Sequence, residues 1–309
     1  MDLALVTLQQ VGILFILIIL GFVCGKTGVV TQEGKKILSN LLVTIIMPAM
    51  ILNSYLSSEF ALEVLNNLLL AFAASAGAIL FSMAVSFLLI FKRKTNNKKV
   101  LWFAFSFSNA AYMGFPLIQG LFGNEGMLYA SAFATMFNVI VWSIGYAVMS
   151  GETGAKQIAK SVRKSPVTYA VLLGLIIYLC RIPVPTFIKQ PISLVGAMTT
   201  PLSMIIIGVM IAGSQVKSIL GNKEVWMTVG VRLVLIPAIT FGIFYLLGIG
   251  GMVGSVILIQ AACPTAATTS VLAIQFQHDE SVGAGTVVLS TICSIVTLTI
   301  FTMSLQFLG

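Results

Sequence analysis

Two carboxamides, one guanidinium and a few hydroxyls stand in stretches that are otherwise apolar. Asn109 and Tyr112 lie in SNAAYMGFPLIQG (residues 108–120), Gln260 and Thr265 in QAACPTAATTS (260–270), and Arg232 in RLVLIP (232–237). Amides and hydroxyls in such surroundings either bind a polar cargo through hydrogen bonds or tie helices together, because leaving them alone in hydrocarbon is costly. Gly114, Pro116 and Pro264 interrupt the same stretches. Proline has no amide hydrogen and displaces the carbonyl four residues back, so Pro116 frees the carbonyl of Tyr112 and Pro264 that of Gln260. Half-helices expected to begin near Leu117 and Thr265 would then present free amide hydrogens and the positive end of a helix dipole, a receptor for an anionic group. Thr265, Thr268 and Thr269 add hydroxyls that either face such a group or bond back to their own helix. For Arg232, snorkelling, pairing with a carbonyl and contacting an anion all stay open.

The elements that position these residues are membrane helices. Of 309 residues 58% are hydrophobic and 8% charged, which excludes a water-soluble domain with a polar surface. Hydropathy windows of about 19 residues mark ten spans, at 4–25, 36–57, 64–91, 100–122, 127–150, 167–181, 191–214, 225–248, 252–275 and 282–307. The net charge of +8 sits in short segments between apolar runs, which argues against a nucleic-acid surface. Fourteen of the 17 basic residues fall in segments 26–36, 92–99, 151–166 and 215–224, all on one side of a ten-span chain. The opposite loops hold Arg181 and Lys189. The positive-inside rule therefore predicts a plasma-membrane protein with both termini on the non-cytoplasmic side.

Ten spans divide into five and five, so an internal repeat has to run in opposite directions through the bilayer. Pro48 and Pro201 stand 153 residues apart in spans two and seven, and Pro116 and Pro264 stand 148 apart in spans four and nine. Interruptions at matching places in two halves point to inverted repeats with a binding site at the midplane, the plan of secondary transporters. The expected organisation is a first five-helix repeat over residues 1–150, a basic cytoplasmic linker over 151–166 and a second, inverted repeat over 167–309. The run AFAASAGA (71–78) allows close helix packing.

No carboxylate falls in the middle of a span, and the single histidine, His278, lies in a short loop, so a buried titrating acid is not expected. Neither an HExxH pair nor two membrane aspartates is present, which argues against an intramembrane protease. Cys24, Cys180, Cys263 and Cys293 show no metal-type spacing, and no cofactor or metal is expected. An apolar surface does not separate a lipid face from a homodimer face.

The pattern N-x-x-x-M-G-x-P, carried by Asn109, Met113, Gly114 and Pro116, together with LFG at 121–123 and Q-A-A-x-P from Gln260 to Pro264, resembles the auxin efflux carrier family. That family includes plant PIN-type auxin carriers and bacterial carriers of malonate and other carboxylates. The likeness extends through RLVLIP (232–237) and VVLSTICS (287–294) to essentially the whole chain. It implies an all-α integral membrane protein of ten transmembrane helices, two inverted five-helix repeats with broken, crossing helices four and nine. It also implies a crossing-helix domain moving, elevator-like, against a scaffold of spans one, two, six and seven. By the same resemblance Asn109 would bond a substrate carboxylate, and Gln260, Pro264 and the exposed backbone at each break would complete its cradle. The central loop of many plant members is reduced here to residues 151–166, and Thr-Ala-Ala follows Pro264, so the resemblance favours a compact, bacterial-type carrier of a small organic acid. Two other readings stay open: a sodium- or proton-coupled carrier of bile acid carrier-like architecture, and a membrane receptor that transports nothing.

Overall fold

A computed structural model describes residues 3–58, 61–151, 166–214 and 219–308. Nearly all of the expected linker, with Lys156, Lys160, Arg163 and Lys164, lies outside them, as do Lys217 and Glu59. The described chain is helical throughout, and its one trace of sheet is an isolated bridge between Ser108 and Thr265. Among the described residues 7 helices are long and apolar enough to cross a membrane, and Pro166–Leu179 and Gly251–Ala262 are shorter apolar helices. This is the architecture lipid demands, because a helix satisfies its own backbone where no water is available.

The first part of the chain forms α1 (Leu3–Lys26), α2 (Gln32–Leu41), α3 (Met47–Ser57), α4 (Leu62–Phe91), α5 (Lys98–Ser106), α6 (Phe115–Ile140) and α7 (Tyr146–Ser150). The second forms α8 (Pro166–Leu179), α9 (Thr186–Ala197), α10 (Thr199–Ala212), α11 (Lys223–Gly230), α12 (Ile236–Leu247), α13 (Gly251–Ala262), α14 (Thr268–Gln275) and α15 (Glu280–Ser304). Several of these are consecutive pieces of one rod joined by π turns. Within α6, Gly123 has φ +60°, a left-handed conformation that suits glycine, and it bends the run where the sequence suggests a loop between two spans.

Three π turns, Leu42–Ile46, Ala110–Gly114 and Val231–Leu235, each end two residues before a proline, at Pro48, Pro116 and Pro237. In each, the amide just before the proline reaches back five residues: Met47 to Leu42, Phe115 to Ala110 and Ile236 to Val231. The widened turn makes room for the ring and the missing amide, so the helix bends and continues instead of ending. Pro116 is therefore not at a break, contrary to the expected restart near Leu117. The helix has already resumed at Ala110, six residues upstream.

The helices pack as two groups. In one, α1 lies along α10 and α3 packs on α8 and α9. Gly21 and Gly25, spaced four apart, let the two helices approach closely: Gly21 meets Gly208, a Cβ on Gly21 would strike the Ile205 backbone, and Gly25 packs on Val209 and Ala212. In the other, α4 packs on α5, α6 and α13, and α15 on α11 and α14. Ala71, Ala74, Ser75 and Ala78 are buried on α4, as the small residues of that run suggest.

Candidate functional site

The two interruptions meet. After α5 the chain is extended at Phe107 (φ −113°, ψ 125°), and after α13 it is extended at Cys263 (φ −59°, ψ 151°). The two segments lie antiparallel, with the Asn109 amide donating to the Pro264 carbonyl at 2.6 Å and the Ala266 amide to the Phe107 carbonyl at 2.9 Å. Pro264 sits where only its carbonyl is required, so its missing amide costs nothing. Thr265 is locked on both sides: its amide donates to Ser290 Oγ at 3.0 Å and its hydroxyl to the Ala104 carbonyl at 3.2 Å. The helix resumes at Thr268, three residues beyond the expected Thr265.

Arg232 underpins both breaks from the π turn of its own rod. Its side chain is 1% exposed. Nε donates to the Cys263 carbonyl and Nη1 to the Phe105 carbonyl, each at 3.1 Å, and Nη2 donates to the Ala261 carbonyl. These carbonyls close α5 and α13, where helix geometry leaves acceptors without partners and concentrates the negative end of the dipole. A planar cation with five donors fits several converging carbonyls, which a single ammonium does not.

Around the paired segments the structure leaves polar atoms without partners among the described residues. These are Ser108 Oγ, Asn109 Nδ2, both side-chain atoms of Gln260, and the hydroxyls of Thr268 and Thr269. Asn109 is 4% exposed and Gln260 wholly buried. Native interiors rarely tolerate one such group, so a cluster of them requires an explanation. Gly114 belongs to the same construction, since a Cβ there would stand 2.5 Å from Gln260 Oε1.

A cavity of about 390 Å³ adjoins the breaks and is lined from both helix groups. Ala110, Ala111 and Tyr112 contribute from the first break and Thr268 from the second, Asn138 and Trp142 from the α6–α7 rod, and Val43 and Val167 from the other group. Tyr112, from the first break, stands near Ser39 of α2 in the other group. Of the residues the sequence singles out, Tyr112 and Thr268 line this cavity. Asn109, Gly114, Pro116, Gln260, Pro264 and Thr265 are buried about it, and Arg232 lies behind the backbone. Ser108, Ser290, Asn138 and Trp142 are unassigned by the sequence reading. A serine, an asparagine and a tryptophan within apolar runs carry no spacing that marks them.

Comparison with known proteins puts this geometry in context. The family model described as membrane transport protein matches residues 6–302. An uncharacterized transporter of Methanothermobacter thermautotrophicus is 26% identical over 295 residues, 94% of this chain and 95% of that protein. An uncharacterized transporter of Methanocaldococcus jannaschii is 26% identical over 314 aligned positions, 96% of this chain and 98% of that protein.

Proposed function

We propose, on the premise that this chain belongs to the membrane transport protein family, that it is a secondary transporter moving a small organic anion such as a mono- or dicarboxylate. The observation that carries the reading is the unpartnered cluster at the paired breaks. Asn109 Nδ2 and Gln260 Nε2 are buried donors without acceptors, and a carboxylate supplies acceptors and no donors. The Arg232 cation, bonded to the carbonyls behind the breaks, favours an anion in a low-dielectric site. Thr268 begins the helix beyond the second break and adds its positive end.

The finer architecture follows the same reading. Ten spans arise when the Gly123 bend divides the Ala110–Ser150 run and the broken α5/α6 and α13/α14 pairs each count as one crossing. The reciprocal bonds between the breaks support two inverted repeats, 1–150 and 167–309, joined by the basic linker 151–166. A cavity lined from both helix groups supports alternation in which the break-bearing group moves against the other across their shared α1–α15 and α3–α6 contacts. The basic loops then face the cytoplasm, both termini lie outside, and the protein resides in the plasma membrane. A cation-coupled carrier is the second reading, because Gln260 Oε1 and the hydroxyls of Ser108, Thr268 and Thr269 are oxygens also able to ligate an ion.

Labelled uptake and charge movement in proteoliposomes test both readings. Malonate, other short carboxylates, indole acetate, amino acids and neutral solutes are offered with and without sodium or a proton gradient. Uptake of a carboxylate that Asn109→Ala abolishes is the expected result. Movement of neutral solutes alone, or wild-type rates for Asn109→Ala, overturns the carboxylate cradle, and strict sodium dependence favours the second reading.

A further inference from the structure

Away from the breaks, a second hollow of about 550 Å³ opens between the end of α4 and the starts of α5 and the α7 region. Its floor and walls are apolar: Met83, Ala84, Phe87, Phe91, Trp102 and Val148. Phe87 is 55% and Phe91 63% exposed, and their rings pack at 5.3 Å between centroids. They belong to a face that a membrane helix turns toward lipid. The Trp102 indole donates to the Met83 carbonyl at 3.3 Å, which pins α5 to α4 and forms the inner wall.

One end of this apolar trough is cationic. Lys98 and Lys99 line it, and Lys92, Arg93 and Lys94 stand exposed on the same short loop. Lys98 Nζ donates weakly to the Phe91 carbonyl at 3.4 Å, and Lys99 lies beside Gly151, just past the end of α7. Each ammonium thus sits against a helix C-terminus and keeps donors for another acceptor. Among the described residues, Glu224 meets this loop through its neutral side chains, accepting from Thr95 and from Asn97, the latter at 2.7 Å.

We propose that this trough binds an anionic phospholipid of the surrounding leaflet, one acyl chain lying along Met83, Ala84, Phe87 and Phe91 and the phosphate engaging Lys98 and Lys99. Charge complementarity selects the ligand. An apolar slot that ends in two ammonium groups at the membrane boundary matches a chain that ends in a phosphodiester, and a zwitterionic headgroup brings its own competing cation. The site is separate from the break-lined cavity and shares none of its lining residues.

Native mass spectrometry of the full-length protein, titrated with phosphatidylglycerol or phosphatidylcholine of matched chains, is the test. Wild type is expected to retain phosphatidylglycerol preferentially. The pair Lys98→Gln/Lys99→Gln is expected to cut that retention roughly thirtyfold, the scale of two lysines facing anionic headgroups, and to leave phosphatidylcholine unchanged. Lys35→Gln/Lys36→Gln, on another basic segment, is expected to behave as wild type. Ala84→Trp, which fills the apolar slot without touching charge, is expected to lower retention of both lipids and keeps the test alive should the lysine pair fail to fold. Equal retention of the two lipids by wild type, wild-type retention by the lysine pair or by Ala84→Trp, or an equal loss in the Lys35/Lys36 pair overturns the site. Glycerol 3-phosphate competing as well as the intact lipid overturns the acyl trough.

Discussion

The two breaks reach the same pairing by different means. The second carries its proline inside the extended segment, with Pro264 supplying the carbonyl that receives the Asn109 amide, and a short helix follows from Thr268. The first has no proline in its extended residues Phe107 and Ser108. Its proline lies downstream, absorbed by a π turn in a helix that has already resumed. A proline is therefore not required to open such a helix, as the first break shows. The partner strand and the guanidinium beneath hold it open, since together they satisfy the backbone groups a broken helix exposes.

If that is right, removing Arg232 should have the largest effect. Arg232→Ala strips donors from the carbonyls of Phe105, Ala261 and Cys263, and with about 1–3 kcal/mol for each buried acceptor left alone the protein should be poorly folded or lose roughly 10 °C in thermal midpoint in detergent. Arg232→Lys keeps the charge but not the fork and should recover less than half. A midpoint near wild type for Arg232→Ala would break the comparison outright.

Gly114→Ala comes next. The added methyl presses on Gln260 Oε1 and stands 3.2 Å from Cys263 Sγ, at a cost of about 1–3 kcal/mol. Adding Gln260→Ala should restore most of the loss, a coupling that thermal midpoints of the single and double variants measure. Asn109→Ala and Gln260→Ala alone should separate stability from function. Their side-chain donors have no protein partner to lose, so the midpoint should stay within about 2 °C while carboxylate uptake falls tenfold or more, the scale of about 1.4 kcal/mol in binding.

The smallest effects sharpen the contrast between the prolines. Pro116→Ala lets an amide rejoin a helix that is already formed and should shift stability by less than about 1 kcal/mol. Pro264→Ala puts a new buried amide in the extended strand and should cost about 1 kcal/mol or more. Equal effects in thermal unfolding would mean that the two prolines share one role after all.

Much of this was legible in the residues. Apolar runs mark the helices because hydrocarbon admits little else, and the polar residues left in them, Asn109, Gln260 and Arg232, cluster at the breaks. The position of the first break was not legible. Pro116 advertises an interruption, and nothing local says that a π turn will absorb it while Ser108, well upstream, takes the strand conformation. The spacing of Gly21 and Gly25 was readable as a close-packing signal and went unused, because its meaning depends on α10 arriving opposite, with Gly208 against Gly21 and Val209 and Ala212 against Gly25.

By itself, then, the sequence determined that this chain lives in a membrane, that it is helical and that two of its stretches carry polar groups that hydrocarbon penalises, since all three follow from the cost of transferring each residue out of water. Only the tertiary structure decided which backbone groups those stretches expose and what satisfies them. The bond from Asn109 to Pro264 joins residues far apart in the chain, and the choice among the three fates open to Arg232 fell to carbonyls of α5 and α13. A hydrogen bond depends on distance and direction, and neither exists until the helices have packed.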